Sequence, residues 1–314
     1  MRKLILASIL GACATMPASA QTIGVSLPNF DNTFQTLIKN AMSDYASTLP
    51  GVSLQLEDAQ LDIGRQLSQV QNFIASGVDG IIISVVDSDA TTAMTNAAKE
   101  AGVPLVYVNT GPSDPHSLPE GQAFVASNEL DSGTLETQEI CRQLKAKGKG
   151  DGAKAVILIG DLSNEAARLR TQDVHDVVAT PDCSFIEIVD EQTATWQRTL
   201  ASDLVTNWLS AGTEFDAVIS NNDEMAIGAI QALKAAGVSM DDVVIGGIDA
   251  TADGLAAMQA GDLDVTVFQD AAGQGRGSVD AVLKLIKGEK LDQQIYIPFE
   301  LVTPANMDKY LNIN

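Results

Sequence analysis

The segment ISNNDEM (219–225) sets two amides and two carboxylates between an apolar run and an alanine-rich one. Polar groups in that setting can cap a helix, hold a metal, form an acid pair or present hydrogen bonds to a polar ligand. Asp223 and Glu224 are neighbours in sequence, so their side chains do not converge as a general acid and base. The only histidines, His116 and His175, fall in no metal-ligand spacing. A GxSxG elbow and a GxxxxGK[ST] phosphate loop are both absent, and GQGRG (273–277) lies too late to open the first helix after a strand. These absences argue against an enzyme, and no metal or cofactor is expected.

Similar groups recur wherever an apolar run gives way to a helical pattern: Asn32, Asn109, Thr110, Asp249 and Gln269. In open parallel sheets ligands bind beyond the carboxyl ends of the strands. Amides and single carboxylates there suit a hydroxyl-rich molecule, because their hydrogen bonds have fixed directions. Capping of helix N–H groups is the competing explanation for each residue taken singly. Arg170 falls among Ala166, Ala167, Val174 and Val177 at helical spacing, which puts a guanidinium on an apolar face in need of a partner, protein or ligand. Aromatic residues make up only 4% of the chain. Phe34 follows Asn32 and Trp196 opens a helix over 197–210, so each can pack on a sugar ring or continue into the core.

The elements that carry these residues repeat one unit: an alanine-rich helix, a glycine stop and a β-branched run, as in ASGVDGIIISVV (75–86) and SAGTEFDAVIS (210–220). Glycines 77, 102, 212, 237 and 261 suit the left-handed position that ends a helix. Strands without polar alternation are buried on both faces. Helical segments show apolar faces at Leu37, Ile38, Ala41, Met42, Tyr45 and at Ile63, Leu67, Val70, Phe73, Ile74. The pattern is that of a doubly wound α/β protein. Ten or eleven strands exceed what one open sheet usually holds, which points to two lobes.

The N-terminus reads as a secretory signal, with Arg2 and Lys3, an apolar core from Leu4 to Ala12 and a cleavage site after Ala20. A lipoprotein signal at Cys13 is the alternative. A net charge of −22 opposes contact with nucleic acid. Cys141 and Cys183 are expected to form a disulfide in an oxidising compartment.

DNTF (31–34), VYVN (106–109), AARLR (166–170), TATW (193–196), ISNNDEMAIGAIQALKAAG (219–237), GGIDAT (246–251) and VFQDA (267–271) resemble, in order and spacing, the periplasmic sugar-binding proteins of ABC importers in the ribose, galactose and inositol branch. The resemblance implies a type I periplasmic binding protein: two Rossmann-like lobes with doubly wound parallel sheets, joined by a three-strand hinge. It implies lobe boundaries at 21–127 plus 270–298 and at 128–269 plus 299–314. Ligand contacts carried over fall on Asn32, Phe34, Asn109, Arg170, Trp196, Asn222, Asp249 and Gln269, with Asn221 and Asp223 holding the turn and capping the helix. Thr110 stands where ribose binders carry Arg and galactose binders Lys. Gln35 replaces the second Phe of the ribose pattern, and Asn32 the Asp of the galactose pattern. LEDAQ (56–60), LSNEAARLRTQDVHD (162–176) and LVTPANM (301–307) resemble the inositol and cyclitol binders more closely. The implied protein is a periplasmic monomer that delivers a cyclitol or monosaccharide to a membrane permease. Presentation of a pentose, hexose or other polyol to a chemoreceptor or histidine kinase is the alternative.

Overall fold

A computed structural model describes residues 20–313. The predicted signal segment, Cys13 included, lies outside the described residues. No helix among the described residues is long and apolar enough to cross a membrane.

Two parallel sheets organise the chain. The first contains β1 (Gln21–Leu27), β2 (Val52–Asp58), β3 (Gly80–Ile83), β4 (Leu105–Val108), β5 (Gln122–Ala126) and β11 (Gln294–Tyr296), in the order β11-β5-β4-β3-β1-β2. The second contains β6 (Ala153–Ile159), β7 (Ile186–Thr193), β8 (Ala217–Ser220) and β9 (Val244–Ile245), in the order β7-β6-β8-β9. An antiparallel ribbon of β10 (Thr266–Phe268) and β12 (Glu300–Val302) continues the second sheet through parallel bridges at Gly246–Val265 and Asp249–Phe268. Twelve strands are thus described, against the ten or eleven expected. β11 and β12 escape a sequence reading because QIY and ELV are three residues long and carry no apolar run.

Every residue of β3, β4 and β8 is buried, as expected for strands covered on both faces. On the first sheet, α1 (Thr33–Ser47) and α9 (Ala271–Ile286) bury Phe34, Ile38, Met42, Val279 and Val282 against one face. There α2 (Ile63–Ser76) and α3 (Thr92–Ala101) bury Val70, Phe73 and Met94 against the other. The second sheet is covered by α4 (Glu129–Ala146) and α5 (Glu165–Val178) on one side. Its other side packs against α6 (Arg198–Ala211), α7 (Asp223–Ala235) and α8 (Ala252–Gln259). One predicted apolar position fails: Ile63 is exposed, because it is the first residue of α2, where the helix start from 61 to 65 faces solvent. The five singled-out glycines all take the left-handed conformation, with φ from 67° to 78°.

The chain passes between the sheets three times. β5 leads through Ser127 and Asn128 into α4, β10 through Gln269 and Asp270 into α9, and β11 through residues 297–299 into β12. Gln274 of α9 donates to the Ser127 hydroxyl at 3.0 Å, and Ile297 N–H donates to the Ala126 carbonyl at 2.7 Å, so the passages are tied to one another.

Cys141 of α4 and Cys183, just ahead of β7, are joined in a disulfide with Cα atoms 5.8 Å apart. Both are buried beside Leu144, Val177 and Ile186. On the chain-entropy account a closed loop of this size stabilises the fold by about 3–4 kcal/mol. The Cys141→Ala/Cys183→Ala variant should lose that much in urea unfolding, and added reductant should then have no further effect on it. An unchanged midpoint would contradict this.

Candidate functional site

A cavity of about 580 Å³ lies where the carboxyl ends of the two sheets face each other, within the range of ~300–1,000 Å³ usual for small-molecule sites. It collects all nine residues expected at a ligand site: Asn32, Phe34, Asn109, Thr110, Arg170, Trp196, Asn222, Asp249 and Gln269. They come from both sheets, so the cavity exists only where the two halves meet.

The strand-end asparagines divide their two functions between the ends of one amide. Asn32 Oδ1 accepts the backbone N–H of Gln35 at 3.0 Å and caps α1. Asn222 Oδ1 accepts Met225 N–H at 3.0 Å and caps α7. In each case the amide nitrogen, with two donors, is left for the cavity the residue lines. The cap of α7 is therefore Asn222, and not Asn221 or Asp223 as expected. Asn221 instead receives Gly160 N–H and the Thr171 hydroxyl on Oδ1. The Asp223 carboxylate receives Thr251 N–H and the hydroxyls of Thr251 and Thr266. Both face inward, where Gly160 just after β6, Thr171 on α5, Thr251 at the cap of α8 and Thr266 on β10 need acceptors.

Arg170 finds its carboxylate partner inside the protein. Its Nε donates to Glu129 Oε2 at 2.7 Å and Nη2 to Oε1 at 3.2 Å, while Nη1 reaches the Asn221 carbonyl at 2.7 Å and Nη2 the Gln269 side-chain oxygen at 3.3 Å. The guanidinium lies 5.7 Å from the centre of the Trp196 ring and 5.9 Å from that of Phe299. Burial is the largest single influence and opposes its charge, but the Glu129 carboxylate, with Asp249 and Glu136 adding to it, holds the Arg170 pKa above its ordinary value. Burial also pushes the Asp249 carboxyl well up, against the pull of Arg170. Arg170 and Glu129 thus form a largely buried ion pair beside the cavity.

Trp196 reaches the cavity through an unusual backbone. Thr195 and Trp196 have φ of 46° and 66°, and Asn109, Asp249 and Ala250 also have positive φ. Such conformations are costly for residues other than glycine and collect at functional sites. Gly160, at the end of β6, makes room for the ring: a Cβ there would fall 2.2 Å from Trp196 Cζ2.

Sequence reasoning missed Asp161, Ser163, Asn164, Arg198 and Glu224, which also line the cavity. The first three follow β6 and obey the same strand-end rule, so applying it to ILIGDLSN (157–164) finds them. Arg198 and Glu224 form a two-pronged ion pair at 2.9 and 3.0 Å, and Glu224 also accepts the Thr33 hydroxyl from across the cavity at 3.0 Å. Neither histidine lines the cavity: His116 meets Gln294, and His175 pairs with Glu191 on the surface. Among the described residues, the acid and thiol cluster of metal-site dimensions is Cys141, Asp182 and Cys183, where the disulfide occupies both sulfurs.

The periplasmic binding protein domain family matches residues 23–290 of this chain. The "Putative rhizopine-binding protein" of Rhizobium meliloti is 63% identical over 314 residues, covering all of both chains. An ABC transporter solute binding protein from Bacillus halodurans with bound myo-inositol has the same fold, with a TM-score of 0.87 and 38% identity over 94% of this chain and 99% of that one. The Caulobacter myo-inositol binding protein bound to myo-inositol follows at a TM-score of 0.84 and 27% identity, over 95% of this chain and 99% of that one. The chain belongs to the periplasmic binding protein family, a family of solute binders and not of enzymes, with the type I α/β fold.

The packing of Trp196 on Gly160 can be checked directly. Gly160→Ala should displace the indole and change tryptophan emission in the ligand-free protein, against a constant background from Trp208 in the core. Gly152→Ala should leave emission unchanged, since nothing lies within 4 Å of the added carbon. Identical spectra for both variants would contradict the placement of the ring.

Proposed function

We propose that this protein captures a cyclitol, myo-inositol or a close relative, between two lobes, and presents it to an ABC permease in the inner membrane. The carrying observation is the convergence of side-chain amides from both sheets on one cavity that is also lined by Phe34 and Trp196. A cyclitol offers a flat ring of C–H bonds for aromatic faces and a rim of hydroxyls for amides. Asn32, Asn109, Asn222, Asp249 and Gln269 would read the rim, and Arg170 would hold the base. The names of the Rhizobium, Bacillus and Caulobacter relatives support the same ligand class.

The lobes in this proposal are 21–127 plus 270–298 and 128–269 plus 299–314, with the three chain passages as the hinge. The exported chain would act in the periplasm as a monomer.

A thermal-shift and calorimetry panel of cyclitols, pentoses and hexoses tests the ligand class. A cyclitol should bind most tightly and stabilise the fold by about 4 kcal/mol at a thousand times its Kd. Trp196→Ala and Asn222→Ala should each weaken it, the former by more than about 2 kcal/mol. Tighter binding of a pentose or hexose would replace the cyclitol, and binding of no polyol at all would overturn the proposal.

A further inference from the structure

Thr110 lines the cavity, yet its hydroxyl is engaged within the protein. It receives a hydrogen bond from Asn164 Nδ2 at 3.2 Å and donates to Asn109 Oδ1 at 3.3 Å. Asn109 Oδ1 also accepts Gln35 Nε2 at 2.8 Å. Asn164 leads into α5, against the second sheet, whereas Gln35, Asn109 and Thr110 belong to elements of the first. The series therefore spans the cavity.

Its direction is set from one end. Two facing amides such as Gln35 and Asn109 pair equally well with both groups turned over, and a hydroxyl can donate or accept. Asn164 has no such freedom, because its Oδ1 accepts the backbone N–H of Ala166 at 3.0 Å as the cap of α5. A backbone N–H only donates, so Asn164 must offer its NH₂ group to Thr110. With Asn164 as its donor, Thr110 has its one proton to give and gives it to Asn109 Oδ1, which also accepts from Gln35, so the Asn109 NH₂ group is left facing the cavity that the residue lines. The left-handed backbone of Asn109, with φ of 60°, holds the side chain in this position.

We infer that Thr110, Asn164 and Gln35 are positioning residues that fix Asn109 as a hydrogen-bond donor to the ligand, and that the relay is complete only when the lobes are closed. The inference rests on the two-lobe binding function proposed above. It assigns to Thr110 a part in specificity without ligand contact: the site would favour an uncharged oxygen acceptor opposite Asn109 and disfavour an ammonium there. Neighbouring cross-cavity bonds act at the rim and do not touch the relay. Ser88 N–H donates to the Ser163 carbonyl at 3.0 Å, and Arg168 reaches the Ser113 hydroxyl at 3.2 Å.

Calorimetry with myo-inositol on the full chain tests this. Thr110→Val keeps the shape and removes the hydroxyl. Asn164→Asp keeps the cap of α5 but draws the Thr110 proton away from Asn109. Each should weaken binding about three- to tenfold, as expected for one neutral hydrogen bond. The double variant should be no weaker than either single one, because both break the same relay. Thr110→Ser should restore affinity, and ligand-free melting temperatures should separate binding from folding. Unchanged affinity in both single variants, or strictly additive losses, would overturn the inference. If the wild type binds no polyol, the proposed function fails, and the relay is still read from the closed population of the ligand-free protein, using fluorescence transfer between dyes on the two lobes. An equal loss of closed population in the two variants then supports the relay, and no change overturns it.

Discussion

A buried guanidinium must find a partner for each of its donors or it destabilises the fold that encloses it. Arg170 imposes that constraint at the junction of the two halves. Its partners come from the start of α4, the end of β8 and the passage after β10, so one side chain fixes three chain segments relative to one another. The centres of the Trp196 and Phe299 rings lie 5.7 and 5.9 Å from its guanidinium, and the side chain is almost wholly buried. Glu129 supplies the compensating charge, which leaves the Arg170 cluster as a polar, shaped base for the cavity and not as a reactive group.

Above that base, the chemistry of the cavity is a by-product of the way parallel strands lead into helices. Each helix start needs an acceptor for its free N–H groups, and asparagine meets the need with one end of its amide. The other end becomes a donor fixed in space by the helix it caps. A molecule rich in hydroxyls in this cavity meets several such donors at once, from both sheets. Beside the cavity Glu129 is paired with Arg170 and Glu224 with Arg198, and Asp223 is buried among hydroxyl and N–H donors.

Much of this was legible in the sequence, for physical reasons that can be named. Apolar runs such as GIII and LVYV announce strands covered on both sides, and glycine at the end of each alanine-rich helix marks the left-handed stop. Asn32, Asn109, Thr110, Asn222, Asp249 and Gln269 reach one cavity because strand ends in a parallel sheet all point the same way, whereas Phe34, Arg170 and Trp196 reach it from α1, α5 and the approach to α6. What escaped were features with no local signal. The short β11 and β12 are defined by their partners, the Arg170–Glu129 pair joins residues 41 positions apart, and the occupation of Thr110 by Asn164 depends on how the halves meet. The choice of Asn222 over its neighbours as the cap of α7 likewise follows from the inward demand of Gly160, Thr251 and Thr266, which sequence proximity does not reveal.

The central claim is that one ring is held between the two halves by aromatic faces and capped amides. A crystal structure of the protein grown with myo-inositol tests it most directly. The account predicts a single ring between Phe34 and Trp196, with its oxygens within hydrogen-bond distance of Asn32, Asn109 and Asn222 and with Arg170 still paired to Glu129. A ring bound outside this cavity, or inside it with neither aromatic face against it, would contradict the account.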